Sequence, residues 1–140
     1  MLPDRDYRRL LEFRTSLRRF LHWSESQAQA HGITGAQHQL LLAIAGDPDP
    51  LGPTVGDVAE SLLLKHHSAV GLVDRAEAAG MVEREPDPTD HRVVRLALTA
   101  VGRRRLEELS KAHLEELRYL GSALGELLRA TDAVLVGDGS

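Results

Sequence analysis

Residues 54–99 constrain the fold more than any other part of the chain, because signals for two helices, a stop and two strands follow one another there without a gap. Thr54-Val-Gly-Asp57 has the form of a capping box, in which a hydroxyl and a carboxylate satisfy the free N–H groups at a helix start. Val55, Val58, Ala59 and Leu62 recur at helical spacing behind it, so a short helix is expected. A turn at Leu63 to Lys65 leads to a second helix over His66 to Ala79, and Gly80 stops it, as a residue that enters the left-handed conformation at little cost. Two short β-branched runs follow, Val82 to Glu85 and Arg92 to Leu98. Pro86-Asp-Pro-Thr-Asp-His91 between them is turn chemistry.

Helix, turn, helix and hairpin, in that order, define a winged helix-turn-helix, a unit that presents its second helix to the DNA major groove. Within that order Leu72-Val-Asp-Arg75, Ala79-Gly-Met-Val-Glu-Arg84, Asp90-His-Arg92 and Leu98-Thr99-x-x-Gly102 resemble the MarR family of transcriptional regulators. The resemblance is ordered and nearly gapless from about Ile33 to Leu109 and weaker in the flanking helices. Two positions depart from the family pattern. Leu63 stands in the helix-helix turn where the family usually has Gly, and the recognition helix reads Lys65-His-His-Ser68 where Ser, Thr and Arg are commoner.

The flanks read as helices. Arg5 to about Gln29 places Leu10, Phe13, Leu17 and Phe20/Leu21 on one stripe, with Arg8, Arg9, Arg14, Arg18 and Arg19 mostly off it as a solvated face. His31-Gly32 ends this helix, and Thr34-Gly-Ala-Gln37 is a second capping box before an apolar helix that runs to Ala45. Asp47 to Pro53, with three prolines and a glycine in seven residues, is a loop. Thr99 is the expected N-cap of a helix over Val101 to Leu120, with Leu106, Leu109, His113, Leu117 and Leu120 at heptad-like steps. Gly121-Ser122 is expected to break and recap it before a last helix from Ala123 to about Val136, with a frayed tail from Gly137.

The expected fold is therefore mainly α with a small β-hairpin wing: one domain over 1–140, with the winged unit at about 33–105 between dimerisation helices at 4–31 and 106–136. A winged unit needs only about 70 to 80 residues. The amphipathic terminal helices are left without a partner in the chain, and packing against a second copy covers them. The family resemblance implies the same homodimer, with two recognition helices on a pseudo-palindromic site about one helical turn apart.

Composition supports a globular protein, at 42% hydrophobic and 27% charged residues. The absence of cysteine removes disulfides, thiolate zinc sites and cysteine redox sensing. No apolar run reaches bilayer length, and Met1 to Ser16 has no signal-peptide core. The expectation is a cytoplasmic protein without a membrane partner. The net charge of −4 divides unevenly, as −2 over residues 1–60, +2 over 61–105 and −4 over 106–140. Screening at physiological salt acts over about 8 Å, so a basic face on an acidic body is compatible with double-stranded DNA as partner.

Candidate DNA contacts are Thr54, Lys65, His66, His67, Ser68, Gly71, Arg75, Asp90, Arg92 and Arg95. Lys65 and Ser68 sit at a helix N-terminus, where free N–H groups favour phosphate. His66 or His67 can read base edges, and Gly71 lets backbone come close. Arg75 either reaches DNA or pairs with an acid. The resemblance implies that Arg92 enters the minor groove, with Asp90 orienting it or closing the hairpin; a narrow minor groove attracts arginine. Arg103-Arg104-Arg105, at a helix start, is solvated or touches phosphate. The resemblance also implies a pocket for a small-molecule effector, for which His22, Trp23, His38 and His66 are the candidates, each of which is also an ordinary core or interface residue type.

No catalytic residue, cofactor or metal site is expected. His66 and His67 are adjacent and point about 100° apart on a helix, there is no HExxH, and no nucleophile, P-loop or dinucleotide fingerprint occurs. The expected function is a sequence-specific, ligand-responsive repressor. Two alternatives stand beside it: a winged-helix protein-interaction module without DNA binding, and a metal-sensing regulator with histidine ligands gathered across the fold.

Overall fold

The computed structural model describes the backbone of residues 1–137 and the side chains of residues 1–130. Seven elements follow in order: α1 Asp4–Ala30, α2 Gly35–Ala45, α3 Val55–Ser61, α4 His66–Ala78, β1 Val82–Pro86, β2 Val94–Leu98 and α5 Ala100–Gly137. They form two compact units, one of residues 1–26 with 111–140, the other of residues 27–110. The divisions fall inside α1 and α5, whereas the sequence reading placed them near residues 32 and 105. No helix among the described residues is long and apolar enough to cross a membrane.

The larger unit holds α2, α3, α4 and the hairpin. Local chemistry sets its helix ends. Thr34 Oγ1 accepts from Gln37 N and Gln37 Oε1 from Thr34 N, and Thr54 with Asp57 repeats the arrangement, so both expected capping boxes form. Three of the helix C-termini share one motif. After α1, α3 and α4 the chain turns through a left-handed residue at φ +78 (Gly32), +56 (Leu63) and +76 (Gly80). In each case two backbone N–H groups fold back onto the last turn: Gly32 and Ile33 onto Gln29 and Ala28, Leu63 and Leu64 onto Glu60 and Ala59, Gly80 and Met81 onto Glu77 and Ala76. This is the Schellman closure, which normally uses glycine.

β1 and β2 pair antiparallel with Val82 opposite Leu98 and Pro86 opposite Val94. The second strand starts two residues later than its sequence pattern predicts. Arg92 N donates to Asp90 Oδ1 and Val93 N to the Asp90 carbonyl, which draws both residues into the turn. Under the hairpin Leu40, Leu41, Leu72, Val73, Leu96 and Leu109 form the centre of the core, each nearly or completely buried. Burial on this scale contributes roughly 1.5–3 kcal/mol per large aliphatic side chain. The motif Leu98-Thr99-x-x-Gly102 closes this unit. Thr99 Oγ1 donates to the Gly80 carbonyl and accepts from Gly102 N, and a Cβ on Gly102 would lie 2.0 Å from the Met81 carbonyl oxygen. Only glycine lets α5 start this close to the strand.

The smaller unit pairs the first part of α1 with the distal part of α5. Phe20, Trp23 and His113 form a ring cluster with centroids 4.8–6.0 Å apart, and Ser24 Oγ lies 2.7 Å from His113 Nε2. The expected break at Gly121-Ser122 does not occur: α5 is one helix of 38 residues. A glycine inside a helix costs about 1 kcal/mol relative to alanine, which the apolar stripe continuing on both sides offsets. Of the expected last helix, the side chains of Val134 and Leu135 and the tail 138–140 lie outside the described residues.

Candidate nucleic-acid interface

Two elements of the larger unit carry most of the basic groups singled out from sequence as DNA contacts, the start of α4 and the hairpin. α2 and α3 begin under threonine caps, but α4 begins at Lys65, whose side chain has no acceptor and makes no capping bond. The first N–H groups of α4 therefore face outward with the positive end of the helix dipole. Lys65, His66, His67 and Ser68 are all exposed there, while Ala69, Leu72, Val73 and Ala76 bury the opposite face. One turn on, Gly71 leaves a space that Arg75 fills, with Nη1 3.2 Å from where a Cβ would stand. Arg75 is exposed and has no ion pair among the described residues, so of its two expected fates the pairing with an acid does not form.

The acids that Arg75 leaves belong to Arg84. Its guanidinium donates to Asp74 at 2.7 Å and to Glu77 at 2.9 Å, which clamps the exposed side of α4 to β1. Asp74 and Arg84 fall within the family motifs and Glu77 between them, and none of the three was given a role from sequence. Their signal was an acid–acid step of three on α4 facing a lone arginine on the adjacent strand.

At the wing, Asp87 is buried and organises the turn. Its Oδ1 accepts from Thr89 N and Asp90 N, its own N–H reaches the Val93 carbonyl, and its Oδ2 accepts from Arg95 Nε at 3.0 Å. The backbone N–H groups of Asp90 and Thr89, followed by Arg95, hold its carboxyl below the usual aspartate range. Arg95 also donates to Asp49 Oδ2 and to the Gly52 carbonyl. This side chain, grouped with the DNA contacts from sequence, is half-buried and ties the wing to the loop before α3. That loop is pressed against β2, since Leu96 N donates to the Pro53 carbonyl and a Cβ on Gly52 would fall 2.2 Å from the Leu96 carbonyl oxygen.

Arg92 has the opposite setting. Its side chain is 91% exposed, and Nε and Nη2 meet Asp90 at 3.0 and 3.1 Å. The Arg92 side chain, then its backbone N–H, hold the Asp90 carboxyl below its ordinary value. Asp90 thus orients the arginine. An ion pair this exposed is weak and yields to a competing phosphate or groove. Thr54, also grouped with the DNA contacts, spends its hydroxyl on the α3 cap. Of the Arg103–Arg105 run, Arg105 donates to the His31 carbonyl, and Arg103 and Arg104 are exposed.

The four expected effector residues divide between the two units. His22 and Trp23 line an open cleft of about 450 Å³ in the smaller unit, with Arg18, Arg19 and Ser26. His38 is buried in α2 and His66 is exposed at the start of α4, both in the larger unit. The two arginines of the cleft were read from sequence as part of a solvated face. No cluster of three or more histidines and carboxylates placed to hold a metal ion occurs among the described residues.

An uncapped helix presented beside a clamped hairpin with an arginine at its tip is the geometry of a winged helix-turn-helix. Residues 31–93 match the model of the MarR family. The chain is 32% identical over 107 residues to the transcriptional activatory protein BadR of Rhodopseudomonas palustris, an alignment that covers 76% of this chain and 60% of BadR. The fold is shared with the MarR family transcription regulator SP03579, at a TM-score of 0.75, 21% identity and coverage of 95% of this chain and 87% of that one. It is shared also with MepR of S. aureus in complex with DNA, at a TM-score of 0.65, 21% identity and coverage of 87% and 94%. The match to the MarR family model thus spans the winged unit from α2 to the wing tip, and the fold is that of solved MarR family regulators. The chain spans about half the length of the curated relatives it matches.

Proposed function

We propose that the chain is a sequence-specific, double-stranded-DNA-binding transcriptional regulator that acts as a homodimer and is released from its operator by a small molecule. The observation that carries this reading is the division of the polar side chains. Arg84 and Arg95 are consumed by ion pairs that hold the fold. Lys65, His66, His67, Ser68 and Arg75 on α4, and Arg92 at the wing tip, are exposed and presented outward. Phosphates on the α4 N-terminus, base edges against the histidines and Ser68, and a minor groove around Arg92 use every one of them. The solved neighbour held in a DNA complex supports the same use.

The homodimer rests on apolar surface. Leu10, Leu11, Leu21, Leu114, Leu117 and Leu128 of the smaller unit are all exposed, and surface of this kind marks an interface. The effector is placed in the cleft at Trp23, where Arg18, Arg19 and His22 give positive and polar groups around an aromatic wall. For the direction of regulation the reading from sequence is repression; the name of BadR favours activation as the second reading.

Titration of the purified protein into random-sequence duplex and into its own upstream region, at several salt concentrations, tests the proposal. Tighter binding to the upstream duplex with a steep salt slope is the expected result. Equal, weak binding to both, or none at low salt, would favour an interaction module. A reporter placed behind the bound duplex then separates repression from activation.

A further inference from the structure

Three helices of this chain end in the same backbone closure, and two of them use glycine for it. The third, at the end of α3, forces Leu63 to φ +56. A side chain in the left-handed region is strained against its own carbonyl, and glycine at that position would remove the strain. Leucine gains nothing in the folded chain to offset this. Its side chain is 92% exposed, the most exposed large apolar group among the described residues away from the N-terminal methionine. Hence the cost is not recovered in the core, where an apolar group is normally repaid.

The place of the side chain is specific. Leu63 lies two residues before Lys65, where α4 begins with its N–H groups uncapped, and Lys65 to Ser68 are exposed beyond it. Leu64, next in the chain, is also exposed. An apolar tip thus stands directly beside a positive, hydrogen-bonding helix start. The chemistry that takes both together is a base edge in the major groove, where the thymine C5-methyl is the one apolar feature among donors and acceptors. We propose that Leu63 is a specificity-determining residue that packs on a thymine methyl group at the edge of the major groove. This rests on the DNA-binding reading and adds to it a methyl contact that the polar groups of α4 do not supply.

A chemical double-mutant cycle tests it. The probe is the duplex that the full-length wild-type protein selects from a random-sequence pool, made once with thymine and once with uracil throughout, which removes only the methyl groups. Burying one methyl corresponds to about a four-fold change in affinity. The wild type should bind the uracil duplex about four-fold more weakly. Leu63→Gly and Leu63→Ala should bind the thymine duplex more weakly than the wild type, and both should lose most of the preference for thymine over uracil. The glycine variant relieves the positive φ and should keep or raise the melting temperature, whereas the alanine variant keeps the strain. A loss common to both therefore belongs to the side chain. Wild-type affinity in the two variants, or the same uracil penalty in all three proteins, would overturn the proposal with DNA binding intact; such a result would move Leu63 to a protein-contact surface. A wild type that selects no duplex would overturn the DNA-binding reading itself, and this inference with it.

Discussion

Arg92 and Arg95 stand three positions apart in the same hairpin and have opposite tasks. One guanidinium lies in water against a single exposed carboxylate; the other is enclosed between Asp87, Asp49 and a backbone carbonyl. Arg92→Ala should therefore weaken operator binding roughly ten- to hundred-fold, the scale of a specific arginine contact, with an unchanged melting temperature. An unaltered affinity in the folded variant would remove the minor-groove role. Lys65 is predicted to act at the phosphate backbone, so Lys65→Ala should reduce the slope of log K against log salt by about 1, and equally on specific and random duplex. A retained slope would place Lys65 off the DNA. Spacing alone identified both as surface charges, because their neighbours are close in sequence. It could not separate Arg95 from Arg92, since Asp49 approaches Arg95 from 46 residues away.

At the level of elements the wing turn has a pH dependence of definite sign. Asp87 binds its proton less readily in the folded chain than in water, because the charged form accepts two backbone N–H groups and faces Arg95. A depressed carboxylate contributes stability that is present in full above its unfolded value, about 3.9, and is lost as pH falls through the lower folded value. The melting-temperature difference between the wild type and Asp87→Asn should hold steady from about pH 8 to pH 5 and shrink below about pH 4. A difference that grows toward acid pH would contradict this network. Helix starts were legible in the sequence because a capping box is a short-range event between residues three apart. The continuity of the last helix was not. The sequence showed a helix breaker at Gly121, where a Cβ would meet nothing within 4 Å, but the amphipathic stripe decides continuity there. The start of β2 was missed for the converse reason: the β-branched run was visible, while the hold of Asp90 on the next two backbone N–H groups was not.

On the scale of the whole molecule, the exposed leucines on α1 and α5 that the proposed dimer would cover belong to the smaller unit. Replacing Leu10, Leu21 and Leu117 together with lysine should convert the proposed dimer to a monomer by sedimentation, with helix content largely kept, and should lower operator affinity because each half-site is then bound alone. A variant that still sediments as a dimer would place the interface elsewhere. The overall plan of terminal helices around a winged unit was readable from periodicity and turn residues. The cleft at Trp23 was readable only in part, because arginines off an apolar stripe look alike whether they line a cleft or face open water. The vacancy at Gly71 has a consequence on the timescale of generations. A methyl group there would meet only the flexible end of Arg75, so one codon change redirects that guanidinium and leaves the helix and its buried face intact. If Arg75 contacts DNA as proposed, operator preference has a mutational route that does not pass through an unfolded protein.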